Sequence, residues 1–263
     1  MSALISPTRR FLRVTRRFAV VGFAVFACLF QYLLNALTGR TALLHRMDVL
    51  HRWSARVLPW LGVSFAGDGM APAGGLLVSN HLSYLDILVF SALAPCVFVA
   101  KREIKGWPGI GLVATLAGTI YIDRSRPHNT HSIQPQMAAA LAGGVRVVLF
   151  PEGTSSNGRQ VLPFRSSLFQ PAIENRTPIT AACISYEIED GDPAVDVCYY
   201  GDMVLGTHAA RLFSKGGITA NLRFGGGARV FTDRKEAARQ LYEEVNTLRN
   251  QTAALISRAG VRV

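Results

Sequence analysis

The chain has 263 residues, 49 % of them hydrophobic and 17 % charged, with a formal net charge of +11. That length buries a sizeable core and fits one domain with an appended anchor better than two domains. The charge is concentrated at one end: the first sixty residues hold nine arginines and a single acid, Asp48. No aromatic–basic interleaving accompanies it outside an apolar stretch, which sets nucleic acid aside and points to anionic membrane lipids as the partner.

In chain order, five arginines (Arg9, Arg10, Arg13, Arg16, Arg17) precede a twenty-residue run from Phe18 to Leu37 in which only Gln31 and Asn35 are strongly polar. As a helix this run reaches about 30 Å, the thickness of a bilayer's hydrocarbon core. The arginines favour an N-terminus held on the cytoplasmic side. The stretch Thr8-Arg9-Arg10-Phe11-Leu12-Arg13 touches a twin-arginine export pattern. The apolar run is longer than a signal core, however, and no small-x-small cleavage site follows, so it reads as a retained anchor.

A second helical pattern follows Thr38-Gly39-Arg40. Leu43, Met47, Leu50, Val57 and Leu61 share one face, with Trp53 and Trp60 at its edge, as in an amphipathic helix at the headgroup boundary. Two arrangements fit: a spanning first helix that turns back, or two helices lying in one leaflet. Residues 1–61 are therefore read as a basic, apolar membrane anchor and 62–263 as the catalytic domain.

Beyond Gly62, short apolar runs alternate with helical patterns. Strands are predicted at 76–79, 96–100, 119–122, 146–150, 179–186, 195–200 and 220–224, and helices at 84–93, 132–141, 166–175 and 234–250. The alternation predicts an α/β fold with a mixed, largely parallel sheet flanked by helices, closing with antiparallel strands that lack intervening helices. The four cysteines (Cys28, Cys96, Cys183, Cys198) are far apart and form no C-x-x-C pair. They read as small buried hydrophobes, not as a disulfide frame or a metal site.

The chemistry is concentrated in two segments. Asn80-His81-Leu82-Ser83-Tyr84-Leu85-Asp86 follows the first predicted strand, and Phe150-Pro151-Glu152-Gly153-Thr154 follows the strand at 146–150. An imidazole is a competent base near neutral pH, and a carboxylate on its other nitrogen fixes the tautomer and stabilises the imidazolium. Five residues of regular helix rotate by about 140°, so His81 and Asp86 meet only if His81 sits in a turn and Asp86 on the helix that follows. No G-x-S-x-G elbow and no activated cysteine offers a covalent nucleophile.

These segments resemble the glycerolipid acyltransferase family, whose best-known members are 1-acylglycerol-3-phosphate acyltransferases. Further blocks keep that family's order: Lys101, Glu103, Pro108 and Gly111; Gly118 to Arg124; Pro163-Phe164-Arg165; and Thr177-Pro178-Ile179. The resemblance runs from about Leu76 to Tyr186 and implies a glycerol-3-phosphate acyltransferase-like fold. It implies His81 and Asp86 as the catalytic pair, with Asn80, Ser83, Lys101, Arg124, Glu152, Gly153, Thr154 and Arg165 around the substrate.

The implied reaction is direct transfer of a fatty acyl group from acyl-CoA or acyl-carrier protein to a lysophospholipid hydroxyl, without acyl-enzyme, metal or organic cofactor. The implied location is a bacterial inner membrane, with the catalytic domain at its cytoplasmic face. Three positions depart from the pattern: Ser155 stands where arginine commonly follows EGT, Ala181 where a second proline stands, and Ser167 in place of a glycine. Loss of the guanidinium removes a bidentate phosphate partner and opens the acceptor to a lyso-ornithine lipid or another lysolipid. A lipid hydrolase using the same pair on water, and a non-catalytic lipid-binding protein, are the readings from other classes.

Overall fold

A computed structural model describes residues 6–68, 71–122 and 130–259. Helix α1 (Pro7–Leu37) opens with the Ser6 hydroxyl accepting from Arg9 N–H and Pro7 in its first turn, a position where the missing N–H costs nothing. It ends at Thr38, and Gly39 turns the chain with φ +71°. Helix α2 (Leu43–Trp60) runs back against it. The order continues β1 (Val63–Asp68), β2 (Leu76–Ser79), α3 (Leu85–Leu93), β3 (Val97–Lys101), α4 (Ile110–Leu116), β4 (Ile120–Ile122), α5 (Thr130–Ala142), β5 (Val147–Leu149), α6 (Gln170–Glu174), β6 (Ile179–Ile188), α7 (Pro193–Asp196), α8 (Leu205–Ser214), β7 (Ile218–Phe224) and α9 (Arg234–Ala259).

The seven strands form one sheet in the order β1-β7-β6-β2-β5-β3-β4. All neighbours are parallel except β6 and β7, so the largely parallel sheet matches the sequence expectation. The antiparallel pair lies inside the sheet and not at its edge, which β1 takes by pairing parallel with β7. Because side chains alternate across a pleat, the central strands feed two cores. Leu77, Val148, Ala182, Ile184 and Tyr186 join α1, α2, α3 and α8 on one face. Leu76, Val78, Val147, Leu149, Ala181 and Cys183 join α5, α6 and α9 on the other.

Three expectations are corrected. Residues 195–200 are not a strand: Asp192 caps Ala194 N–H through its side chain at 2.9 Å, Pro193 occupies the first turn, and the helical turn α7 forms instead. This is an Asp-Pro helix start, which outweighs the β-branched composition that follows. Helices α7 and α8 therefore lie between β6 and β7, where none was expected. The segment 166–175 is not one helix but a 3₁₀ turn (Ser166–Phe169) followed by α6, whose second residue is Pro171. Strand β1 and helix α4 were not predicted; β1 is a sheet-edge strand of mixed polarity that, among the described residues, pairs with β7 alone.

Helix α1 is not a free-standing anchor. On its inner face Arg10, Arg13 and Arg17 donate to the carbonyls and hydroxyl at the end of α8, Phe18 meets Phe213 edge-on at 4.9 Å, and Tyr32 Oη donates to Arg46 O at 3.0 Å. Its other face leaves Phe11, Phe23, Phe26, Phe30, Leu33 and Leu37 exposed. By length and composition alone it is long and apolar enough to cross a membrane.

Candidate active site

Parallel pairing of β2 and β5, with Val78 opposite Leu149, brings the carboxyl ends of both strands to the same sheet edge. The two motif turns leave from those ends, so residues seventy positions apart meet there, as is usual at the strand C-termini of open α/β sheets. His81 N–H donates to Glu152 Oε1 at 2.8 Å, and Ser156 N–H donates to His81 O at 2.9 Å.

His81 lies in the turn before α3 and Asp86 in that helix's first turn. His81 Nδ1 donates to Asp86 Oδ2 at 2.7 Å, since a carboxylate only accepts. The same oxygen accepts Leu82 N–H at 2.7 Å and Ser83 N–H at 3.1 Å. The other oxygen, Oδ1, accepts the Tyr186 hydroxyl at 2.6 Å. The carboxylate thus sits among the unpaired donors of a helix N-terminus, where negative charge is favoured. With Nδ1 protonated, Nε2 carries the lone pair, and among the described residues it has no hydrogen-bond partner. The His81 side chain is 23 % exposed and that of Asp86 0 %: a sheltered carboxylate behind a partly exposed imidazole. The imidazole face is covered by the Phe150 ring.

The other sequence-predicted residues divide by role. Asn80 is buried and clasps β6 at Ile184, donating to its carbonyl and accepting its N–H at 2.9 Å each. Ser83 is buried and its Oγ has no partner among the described residues. Glu152 is 4 % exposed, with Oε1 on His81 N–H and Oε2 on Leu162 N–H at 2.9 Å. It ties the His81 turn to the loop after Thr154. Burial pushes its carboxyl up to about 7, against the pull of those two amides and of nearby His81.

Gly153 has φ +78°, and a Cβ there would lie 2.7 Å from Arg165 Nε, so the guanidinium packs directly on this turn. Thr154 and Arg165 are exposed beside it. Lys101 ends β3, two strands from β2 along the sheet, and is exposed. Arg124 lies outside the described residues.

Ser155 takes the usual arginine position, and its hydroxyl donates to Tyr199 O. Burial pushes the Cys96, Cys183 and Cys198 thiols up to about 12, which leaves them protonated and inert. Among the described residues no cluster of His, Cys, Asp and Glu could hold a metal ion.

The sequence reading missed Tyr186, and it quoted Phe150 without a role. The signal for Tyr186 was its place in a run that alternates inward from β6. Nothing local linked it to a motif one hundred residues earlier.

The family model described as Acyltransferase matches residues 63–185, the segment that carries both turns. The chain is 31 % identical over 249 residues to the lyso-ornithine lipid O-acyltransferase of Pseudomonas aeruginosa, spanning 94 % of this chain and 95 % of that protein. The chain belongs to the glycerolipid acyltransferase family. It is also 36 % identical over 153 residues to the 1-acyl-sn-glycerol-3-phosphate acyltransferase of Neisseria gonorrhoeae, a match covering 58 % of this chain and 60 % of that relative's length.

Among solved structures, the 1-acyl-sn-glycerophosphate acyltransferase of Thermotoga maritima superposes with a TM-score of 0.70, covering 94 % of this chain and 97 % of that one at 17 % identity. At that identity the likeness establishes the acyltransferase fold, helices α1 and α2 included, and nothing about the substrate.

Proposed function

We propose that this glycerolipid acyltransferase-family chain moves a fatty acyl group from a thioester, acyl-CoA or acyl-carrier protein, to the free hydroxyl of a membrane lysolipid, with 1-acylglycerol-3-phosphate as the first acceptor. The observation that carries the reading is the Nδ1–Oδ2 bond of 2.7 Å between His81 and Asp86, which leaves Nε2 as a base behind a partly exposed edge. Nε2 accepts the hydroxyl proton while the oxygen attacks the thioester carbonyl. The C–S bond breaks as the ester forms, and the imidazolium returns the proton to the departing thiolate. General-base assistance of this kind is worth about 10²–10⁴ in rate. Asp86, already hydrogen-bonded and charged, holds the imidazolium while it exists.

On this reading Asn80 and Glu152 order the two turns, while Arg165, Thr154, Lys101 and Arg124 meet the acceptor's polar group. Residues 1–61 anchor residues 62–263 at the membrane. Because α1 is bonded to the domain at Arg10, Arg13 and Arg17 and to α2 at Tyr32, and presents only its outer face, our reading puts α1 and α2 in one leaflet, at the cytoplasmic face of a bacterial inner membrane.

A second acceptor, a lyso-ornithine lipid, is favoured by two observations: the near full-length match to the Pseudomonas protein, and a serine at 155, bonded to Tyr199 O, in place of a phosphate-pairing arginine. The test is the purified protein assayed against a panel of lysolipids with both thioester donors. Turnover with one acceptor, abolished in His81→Ala, supports the proposal. Activity that survives His81→Ala discards the base, and release of free fatty acid from a diacyl lipid without an acceptor favours hydrolysis instead.

A further inference from the structure

The Asp86 carboxylate is fully buried and satisfied by four donors. Three come from its own turn and all three converge on Oδ2. Among the described residues Oδ1 has a single donor, the Tyr186 hydroxyl at 2.6 Å, a length typical of an O–H donor on a charged oxygen. Tyr186 is 5 % exposed and projects from β6 into the core beneath α3. Two residues earlier on the same strand, Ile184 is gripped through both its backbone groups by Asn80. Strand β6 therefore fixes both ends of the segment 80–86, one through a backbone clasp and the other through a phenol.

We propose that Tyr186 is a positioning residue for acyl transfer: its hydroxyl holds the Asp86 carboxylate in the rotamer that presents Oδ2 to His81, and it shares that carboxylate's charge. The inference rests on the reading of His81 as the base. A buried carboxylate with one oxygen unpaired is costly and free to turn toward other donors. With the phenol in place, rotation about the Cβ–Cγ bond would break the bonds at both oxygens together. Burial, and then the negative charge of Asp86, push the Tyr186 phenol well above its ordinary range, so it remains a donor.

The other titratable groups that face Asp86 are His81 in the turn, Glu152 after β5, Cys183 on β6 and Cys198 after α7. The thiols stay neutral and the Glu152 carboxyl is raised to about 7, so the pH profile is also measured with Glu152 removed.

The test is Tyr186→Phe, which removes one oxygen and keeps the ring, measured in detergent micelles on the acceptor that the wild type acylates. A lost hydrogen bond to a charged group predicts a fall in kcat of about ten- to a hundredfold, with KM for both substrates unchanged. With one donor fewer, more of the carboxylate's charge falls on the imidazolium. The acidic limb of the kcat–pH profile is therefore expected to move upward, on an Glu152→Gln background as well as on the wild type.

In a cycle with Asp86→Asn, Tyr186→Phe should add no further loss, because the hydroxyl acts through the carboxylate. Wild-type kcat and an unmoved acidic limb overturn the proposal, as does a loss that adds fully to that of Asp86→Asn. Should Tyr186→Phe not fold, 3-fluorotyrosine placed at 186 strengthens the donor with the side chain intact, and the acidic limb should then move downward; an unmoved limb overturns the proposal. A wild type inactive on every lysolipid sinks the underlying reading, whereas a normal Tyr186→Phe in an active enzyme sinks only this one.

Discussion

The Phe150 ring lies flat against His81, with centroids 4.2 Å apart and planes 13° from parallel. Behind it Phe98 stacks on Phe150 at 6.4 Å and 13°, and Phe90 leans on it at 6.0 Å. The imidazole is thus the last ring of a stack rooted in the core. The Asp86 bond restrains it along one axis, and the Phe150 face restrains rotation about the other. Phe150→Leu keeps a core-filling apolar side chain and removes the flat surface. Such ring pairs are worth about 0.5–1.5 kcal/mol beyond area, so kcat should fall roughly two- to tenfold with a small loss of stability. Turnover and a denaturant titration on the same preparation check this; an unchanged kcat shows that Phe150 only fills space.

Asp86→Asn separates charge from geometry. Its amide oxygen can keep the Leu82 and Ser83 amides and His81 Nδ1, while its NH₂ donates to a reversed Tyr186 hydroxyl. The fold should survive, but the imidazolium formed during transfer loses its counter-charge. We expect kcat to drop by about 10² or more with the unfolding midpoint within a few degrees of wild type. Steady-state kinetics and circular dichroism decide; a collapse of the fold would show that the carboxylate's role is chiefly structural.

Much of this site was legible in the sequence because local rules wrote it. A turn-forming Asn80-His81 pair after Leu76-Leu77-Val78, and Asp86 placed for a helix's first turn, already allow the His81–Asp86 contact. The meeting of His81 with Glu152 rests on the pairing of β2 with β5, and the sequence, which indicated a largely parallel sheet, did not supply that strand order. What stayed hidden depends on contacts between distant strands. Tyr186 reaches Asp86 only because β6 pairs with β2, and the arginines of α1 were read as topology signals when three of them cap α8. Residues 195–200 misled for a different reason: the Asp192-Pro193 cap, a local signal, was passed over in favour of composition.

Glu152 predicts a pH dependence of stability. Its carboxyl is raised from about 4.5 to about 7 in the folded protein, chiefly by burial. Between those values the folded state holds a proton that the unfolded chain has released, so stability is full below pH 4.5. It falls as pH rises and levels off above about 7. The shift corresponds to about 3 kcal/mol. Glu152→Gln lacks this titration and also loses one of the two amide acceptors. It should therefore be less stable than wild type at pH 5, with the difference narrowing by pH 8. Denaturant midpoints of both proteins across that range test it; parallel curves would show that Glu152 titrates at its ordinary value.

Arg17 joins helix α1 to the end of α8. Its guanidinium donates to Phe213 O at 3.1 Å, Lys215 O at 2.7 Å and Gly216 O at 3.1 Å, carbonyls at the end of α8 that have no partner within the helix. A Cβ at Gly62 would collide with the same guanidinium, so the turn that leads from α2 into β1 is built around it. Arg17→Ala strands three acceptors and should destabilise the protein by about 2–4 kcal/mol. The outer face of α1, with Phe11, Phe23, Phe26, Phe30 and Leu37, is untouched, so the variant should still sediment with anionic vesicles. On the proposed one-leaflet placement of α1 and α2, what changes is the orientation of His81 to the bilayer. Turnover of a lysolipid embedded in vesicles should consequently fall several-fold more than turnover of the same lipid in micelles, where orientation is free. Equal losses in the two assays would show that Arg17 stabilises the fold without setting the active site against the membrane, and loss of vesicle binding would show that the outer face alone does not hold the protein there.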